Sequence, residues 1–267
     1  MTVTYHWTDV DVLHDLRLVR VPGTGGTSFL FHGKPIELRD FWIATTPVTQ
    51  ALWQHVMGVN PSKHVSPKCP VENVSWNQVT QADGFLDRLN TLVLPKVVAS
   101  GSTLRFRLPT ETEWEYAARG GPDWRDGFRW SGSNNPDDVA WYGPRWTAAH
   151  DLFARIAGWR IAWRGTNRIM QLMPRRPSHT HDVGLKQPNQ LGLYDMSGNI
   201  WEWCQDICTD VVNVPADGSA YGGTGDERRL RGGCFNNWDM HCQVFWRYGI
   251  TPEAHDGCLG LRLALSS

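Results

Sequence analysis

The sequence predicts an α+β fold of short strands, few helices and much irregular loop. Three observations carry that reading. Brief extended pieces occur at both ends of the chain, helix-start signals are confined to the first half, and the stretch between them is rich in Gly, Trp, Arg and Pro with no clean period.

Leu16–Pro22 alternates apolar and polar residues and is closed by Gly23–Gly26, which reads as a strand and a turn. Ser28–Phe31 and Ile36–Ile43 read as further strands. Thr46 and Pro47 then break the pattern. Gln50–Met57 follows as a helix, with Leu52, Trp53, Val56 and Met57 at helical spacing and Gly58 as its stop. A second helix starts at Ser75, whose hydroxyl can cap the backbone at Gln78 while Gln78 reaches back, and Phe85, Leu86 and Leu89 supply its buried stripe. Thr110 and Glu113 repeat this device for a third helix that runs through Trp114 and Arg119 to Gly120 and Gly121.

From there to about Gly184 the chain reads as an irregular segment with an insertion at 144–178, which holds one helical stretch, Ala148–Ala157. The arginines of that segment (Arg155, Arg160, Arg164, Arg168, Arg175, Arg176) fit a solvated surface better than an anion site. Extended pieces return at Gly198–Cys204, Arg228–Gly233, Gln243–Arg247 and Leu259–Leu265.

Composition narrows the function classes. The chain of 267 residues is 41% hydrophobic and 20% charged, enough to bury a sizeable core, and its net charge of −1 gives no global field for a phosphate backbone. Nucleic acid is therefore not expected as a partner. The N-terminus lacks the basic and apolar regions of an export signal, and no stretch is long and apolar enough to span a bilayer. The expected location is the cytoplasm, or a particle or surface reached by another route, with no membrane insertion. Six cysteines are too sparse for a disulfide scaffold in a chain of this size, so reduced and partly buried thiols are expected. Fifteen tryptophans are a heavy load, and many, though not all, are expected in the core.

Several segments are similar to the family of formylglycine-generating enzymes: Pro70–Trp76, Phe106–Gly120 and Gly192–Trp203. Leu230–Gly233 and Gly260–Arg262 follow in the family's order. The resemblance implies a C-type lectin fold over the whole chain as a single domain. Residues 1–233 would be its scaffold, and 234–267 a ligand-binding region with the final strand. Fold does not carry activity with it, so the site has to be argued separately.

In the enzymes, copper is held by two cysteine thiolates that fall between the Arg-Gly-Gly motif and a later Arg-x-Ala-x-Arg stretch. Matching the last Arg to Arg247 puts those two positions at Asn236 and Asp239, while Cys234 and Cys242 sit at other offsets. No catalytic residue is assigned, and the enzyme reading fails without a gap-shifted alignment. The ergothioneine sulfoxide synthases of this family carry their metal-binding histidines on a separate N-terminal helical domain, for which this chain has no room.

A second reading is that the chain resembles the variable protein of a diversity-generating retroelement, in which the C-terminal region is diversified for ligand capture. Asp239, His241, Tyr248, Gly249, Ile250, Thr251, Ala254, His255, Asp256 and Gly257 are residue types that adenine-directed variation of Asn codons reaches. Trp238, Met240, Gln243, Trp246 and Glu253 need other template codons. Independently of that, the mixture of aromatic and polar side chains suits a recognition surface. The expected binding residues are Trp238, Asp239, Met240, His241, Gln243, Trp246, Tyr248, Ile250, Glu253, His255 and Asp256, with Val244, Phe245 and Arg247 assigned to the core frame. The expected partner is a macromolecule, a protein in the first place, bound by a monomer.

A third reading is a calcium-stabilised structural member. The family's calcium pattern falls on Asp195, Gly198, Ile200 and Glu202, and two carboxylates with two carbonyls are oxygen ligands suited to that ion. No cofactor is required on this reading, and calcium is the one that the resemblance implies.

Overall fold

The computed structural model describes residues 16–97, 103–145 and 179–266. The predicted insertion beyond residue 145, with its helix and its arginines, lies outside the described residues. Strands β1 (Leu18–Val21), β2 (Phe29–Phe31), β3 (Lys34–Ile36) and β4 (Phe41–Ala44) open the fold. In the β2–β3 hairpin, Phe29, Phe31 and Ile36 are fully buried while Leu30 is exposed, the alternation expected of a ribbon with one wet face.

Helix α1 (Gln50–Met57) has the predicted bounds. The Thr49 hydroxyl accepts from the Leu52 N–H at its start, and Gly58 ends it in the left-handed conformation. The helix expected from Ser75 is two helices, α2 (Trp76–Thr80) and α3 (Phe85–Leu92), and Ser75 and Gln78 form the predicted capping box. The break falls at Asp83, at φ 57°, and at Gly84, where an added Cβ would come within 2.8 Å of the carbonyl oxygens of Gln78 and Gln81. The stripe is real all the same: Phe85 and Leu89 are buried, and Phe85 stacks on Trp53 of α1 with ring centroids 4.6 Å apart. The short α4 (Leu94–Val97) and β5 (Arg105–Arg107) lead into α5 (Glu111–Ala118), where Thr110 and Glu113 make the second predicted capping box. Then come α6 (Pro136–Val139), β6 (Ala140–Trp141), β7 (Ser197–Gly198), β8 (Trp201–Ile207), β9 (Arg228–Arg231), β10 (Tyr248–Ile250), β11 (Leu259–Leu261) and β12 (Ala264–Ser266).

One antiparallel sheet has the order β1-β4-β12-β5, and a second has the order β10-β9-β8-β11, with β11 parallel to β8. Leu259–Leu265, read as one strand, is therefore two strands in two sheets. They part at Arg262, whose side chain turns inward and is fully buried. The piece expected at Gln243–Arg247 is a bend and not a strand, and pairing resumes only at Tyr248, opposite Leu230. These elements make a mixed α+β fold, and its long connections are gathered around β8 and β9.

Candidate recognition face

The segment 234–258 leaves the end of β9 and returns at the start of β11, so both of its ends are set by strands flanking β8. Its entry is tight. Gly233 has φ 75°, and a Cβ there would lie 2.6 Å from Cys242 Sγ. The Phe235 N–H then donates to the Asn199 carbonyl at 3.1 Å. A 3₁₀ turn at Asp239–Cys242 follows, and the Trp130 indole N–H donates to the Asp239 carbonyl at 2.8 Å.

The bend at 243–247 is held from below by charge. Arg247 donates to both oxygens of Glu111 at 2.7 Å, and Arg229 and Arg231 approach the same carboxylate. Arg231 also pairs with Glu115, which Arg119 and His32 reach as well. Burial works against the Glu115 anion, yet Arg231 first, with the His32 hydrogen bond and Arg119, holds its pKa down at about 2. A buried network of this kind fixes one geometry for the chain above it, because moving any member strands a charge. Past β10, the turn at 251–257 docks on the loop before α2. The Asn73 N–H donates to the Asp256 carbonyl at 2.8 Å, and the Asn77 amide donates to Glu253 at 3.1 Å.

On that frame Tyr248 is 46% exposed, and Glu253, His255 and Asp256 are exposed as well. Trp238, Met240, His241, Gln243, Trp246 and Ile250 are half-buried, with His241 and Trp246 in ring contact at 4.6 Å. Asp239 departs from the set, since at 5% exposed it belongs to the support of the turn and not to its surface. Phe245 departs the other way. Expected in the core, it is 41% exposed, because Val244 takes the interior position and the bend turns the next side chain outward. No alternation rule applies in a bend, so the sequence held no signal for Phe245.

The thiols beside the segment are buried and held toward the neutral form. Burial raises Cys234 well above the usual thiol range, Cys258 beside it adds to the effect, and burial likewise pushes Cys242 up.

Of the four positions implied for calcium, Glu202 is already committed. Arg262 donates to both its oxygens at 2.8–3.1 Å, and the Trp114 indole N–H donates to one at 2.6 Å. Asp195 accepts from the Gly184 N–H at 2.8 Å, and the Gly198 carbonyl accepts from the Ile200 N–H. Glu202 and Asp195 thus serve internal donors, and Arg262 already supplies the positive charge at Glu202, so the donor set does not fit calcium. A cavity of 540 Å³ lies among Arg39, Arg107, Glu113, Gln205 and Asp217, and none of the expected binding residues lines it.

A central β8 between β9 and β11, the capped α5 packed beneath it and a long connection returning to β11 define the C-type-lectin fold of the formylglycine-generating type. Residues 25–267 match the family model described as a sulfatase-modifying factor enzyme 1-like domain, and the chain belongs to that family. Among curated proteins it is 34% identical over 214 residues to chaperone protein LppX of Paenibacillus barcinonensis, covering 72% of this chain and 71% of that one. It is 31% identical over 224 residues to the formylglycine-generating enzyme of Streptomyces coelicolor, covering 81% of this chain but only 59% of the enzyme. Other relatives carry the name of an inactive formylglycine-generating enzyme. Among solved structures, Treponema denticola variable protein 1 superposes with a TM-score of 0.67 at 28% identity, covering 93% of this chain and 94% of that chain.

Proposed function

We propose that this chain is a non-catalytic binding protein that captures a macromolecular ligand, most simply a protein, on the surface of residues 236–256. The observation that carries the reading is the division of labour within that segment. Val244, Arg247 and Asp239 are turned inward and anchor it, while Phe245, Tyr248, Glu253 and His255 face outward with half-buried Trp238, Met240 and Trp246 beside them. Rigid aromatic anchors among adaptable polar groups are what a recognition surface needs. The likeness to a variable protein and to a protein named as a chaperone supports the same reading.

Two experiments test it. Copper-loaded protein is incubated with a cysteine-containing sulfatase peptide, and no aldehyde is expected; turnover overturns the reading. A phage library randomised at Trp238, Met240, Phe245, Tyr248 and Ile250 is expected to stay folded and to yield binders to an arbitrary protein target. Collapse of folding across the library makes the segment structural. The finer claim, that the segment varies in nature, requires a near-identical template repeat and a reverse transcriptase beside the gene.

A further inference from the structure

The loop Thr180–Gly184 carries a ring cluster outside the recognition face. The His181 imidazole stacks on the Trp141 indole at 3.8 Å with 3° between planes, and Lys186 Nζ lies over the same indole at 4.4 Å. His179 is 5.7 Å from His181 and stacks on His64 at 3.8 Å. The carboxylates nearby each serve other donors, although Glu72 Oε2 is left without one. Asp182 accepts from Ser66 Oγ and Cys69 Sγ, Glu72 from the His64 N–H, and Asp195 from the Gly184 N–H.

Within this cluster His181 Nδ1 is buried without a hydrogen-bond partner, as are Trp141 Nε1 and Thr180 Oγ1. A neutral imidazole can leave that nitrogen as an unused acceptor at modest cost. A protonated one has a charged N–H there with no acceptor, which is the expensive case. Burial first, then His179, Lys186 and His64, hold His181 below the ordinary histidine value.

Asn199 links the loop to the recognition segment. Asn199 holds His181 by both backbone groups, accepting from its N–H at 2.9 Å and donating to its carbonyl at 3.1 Å. The Asn199 backbone donates to the Trp141 carbonyl at 2.8 Å and accepts from the Phe235 N–H, where the segment begins.

We propose that His181 is a proton-operated latch: neutral, it lies on Trp141 and keeps the loop closed on Asn199; protonated, it leaves the indole and loosens the Asn199 bridge to Phe235. The effect on ligand capture rests on the binding reading above, whereas the latch does not. With the folded value lowered, the unfolded chain binds the proton more readily. The latch therefore contributes fully above about pH 6.5, the unfolded histidine value, and is lost as pH falls below it.

The test uses the full chain and the variant His181→Gln, unfolded by urea from pH 8 to pH 5. Wild type is expected to take up more protons on unfolding than the variant just below pH 6.5. Amide-exchange protection at Phe235 should fall on acidification in wild type and stay level in the variant. Equal proton uptake by the two chains overturns the proposal. Should the variant fail to fold, histidine-labelled wild type is titrated by NMR, where the Trp141–His181 cross-peaks should vanish at a midpoint below the ordinary histidine value. Cross-peaks that persist through protonation overturn it too. No ligand enters either experiment, so failure here leaves the binding reading standing, and failure of the binding tests leaves the latch.

Discussion

Arg262 and Glu202 are both fully buried, and each is the other's main partner. Breaking such a pair costs more than its net worth, because the survivor is left as an unpaired charge. Glu202→Ala is expected to lower the unfolding free energy by about 3–5 kcal/mol in urea titrations, and calcium should not restore the loss. Tyr248→Ala, on the exposed face, should cost less than about 1 kcal/mol and act on binding instead. Both residues stand in motifs or mixtures visible in the sequence, but their roles were unequally legible. Tyr248 among polar neighbours reads as surface and is surface. Glu202 in the turn motif suits an oxygen ligand, and only the fold shows that Arg262, sixty positions away, satisfies it.

Helix starts are the most legible elements. Ser75 with Gln78 and Thr110 with Glu113 form capping boxes at both places where side-chain chemistry required them, since every partner lies within three residues. Ser75→Ala should cost about 1 kcal/mol, read from the urea midpoint. The break between α2 and α3 was also written locally, in Asp83 and Gly84, but the apolar stripe running past it masked the signal. Gly198 shows the opposite case. Its φ is 77°, and an added Cβ would meet the Trp141 carbonyl oxygen at 2.0 Å, because β7 pairs there with β6. Gly198→Ala should therefore destabilise by well over 1 kcal/mol, and circular dichroism with urea titration reads whether the fold survives.

At the scale of the whole molecule, stability has opposing proton-linked terms. Glu115, with its pKa lowered to about 2, contributes stability that is present above about pH 4.5 and is lost as pH falls toward 2. Burial, with Glu111 nearby, raises Asp206 to about 7, although it accepts the Tyr221 and Glu111 N–H groups. Its contribution is present below the unfolded value near 4 and is lost as pH rises through about 7. Between pH 5 and 8 the stability of Asp206→Asn should rise relative to wild type, whatever its absolute value, as measured by urea unfolding at each pH. No relative change would mean that Asp206 is ionised throughout.

Local sequence settled the α+β class, the family frame, the bounds of α1 and both capping boxes. All of these rest on residues close together in the chain or on motif order. Tertiary structure alone decided that Phe245 faces out and Asp239 in, that the last strands divide between two sheets, and that Asn199 ties His181, Trp141 and Phe235 together. Those outcomes depend on which distant groups meet across β8 and beneath the bend. A contact between residues dozens of positions apart leaves no periodic trace in either segment that makes it.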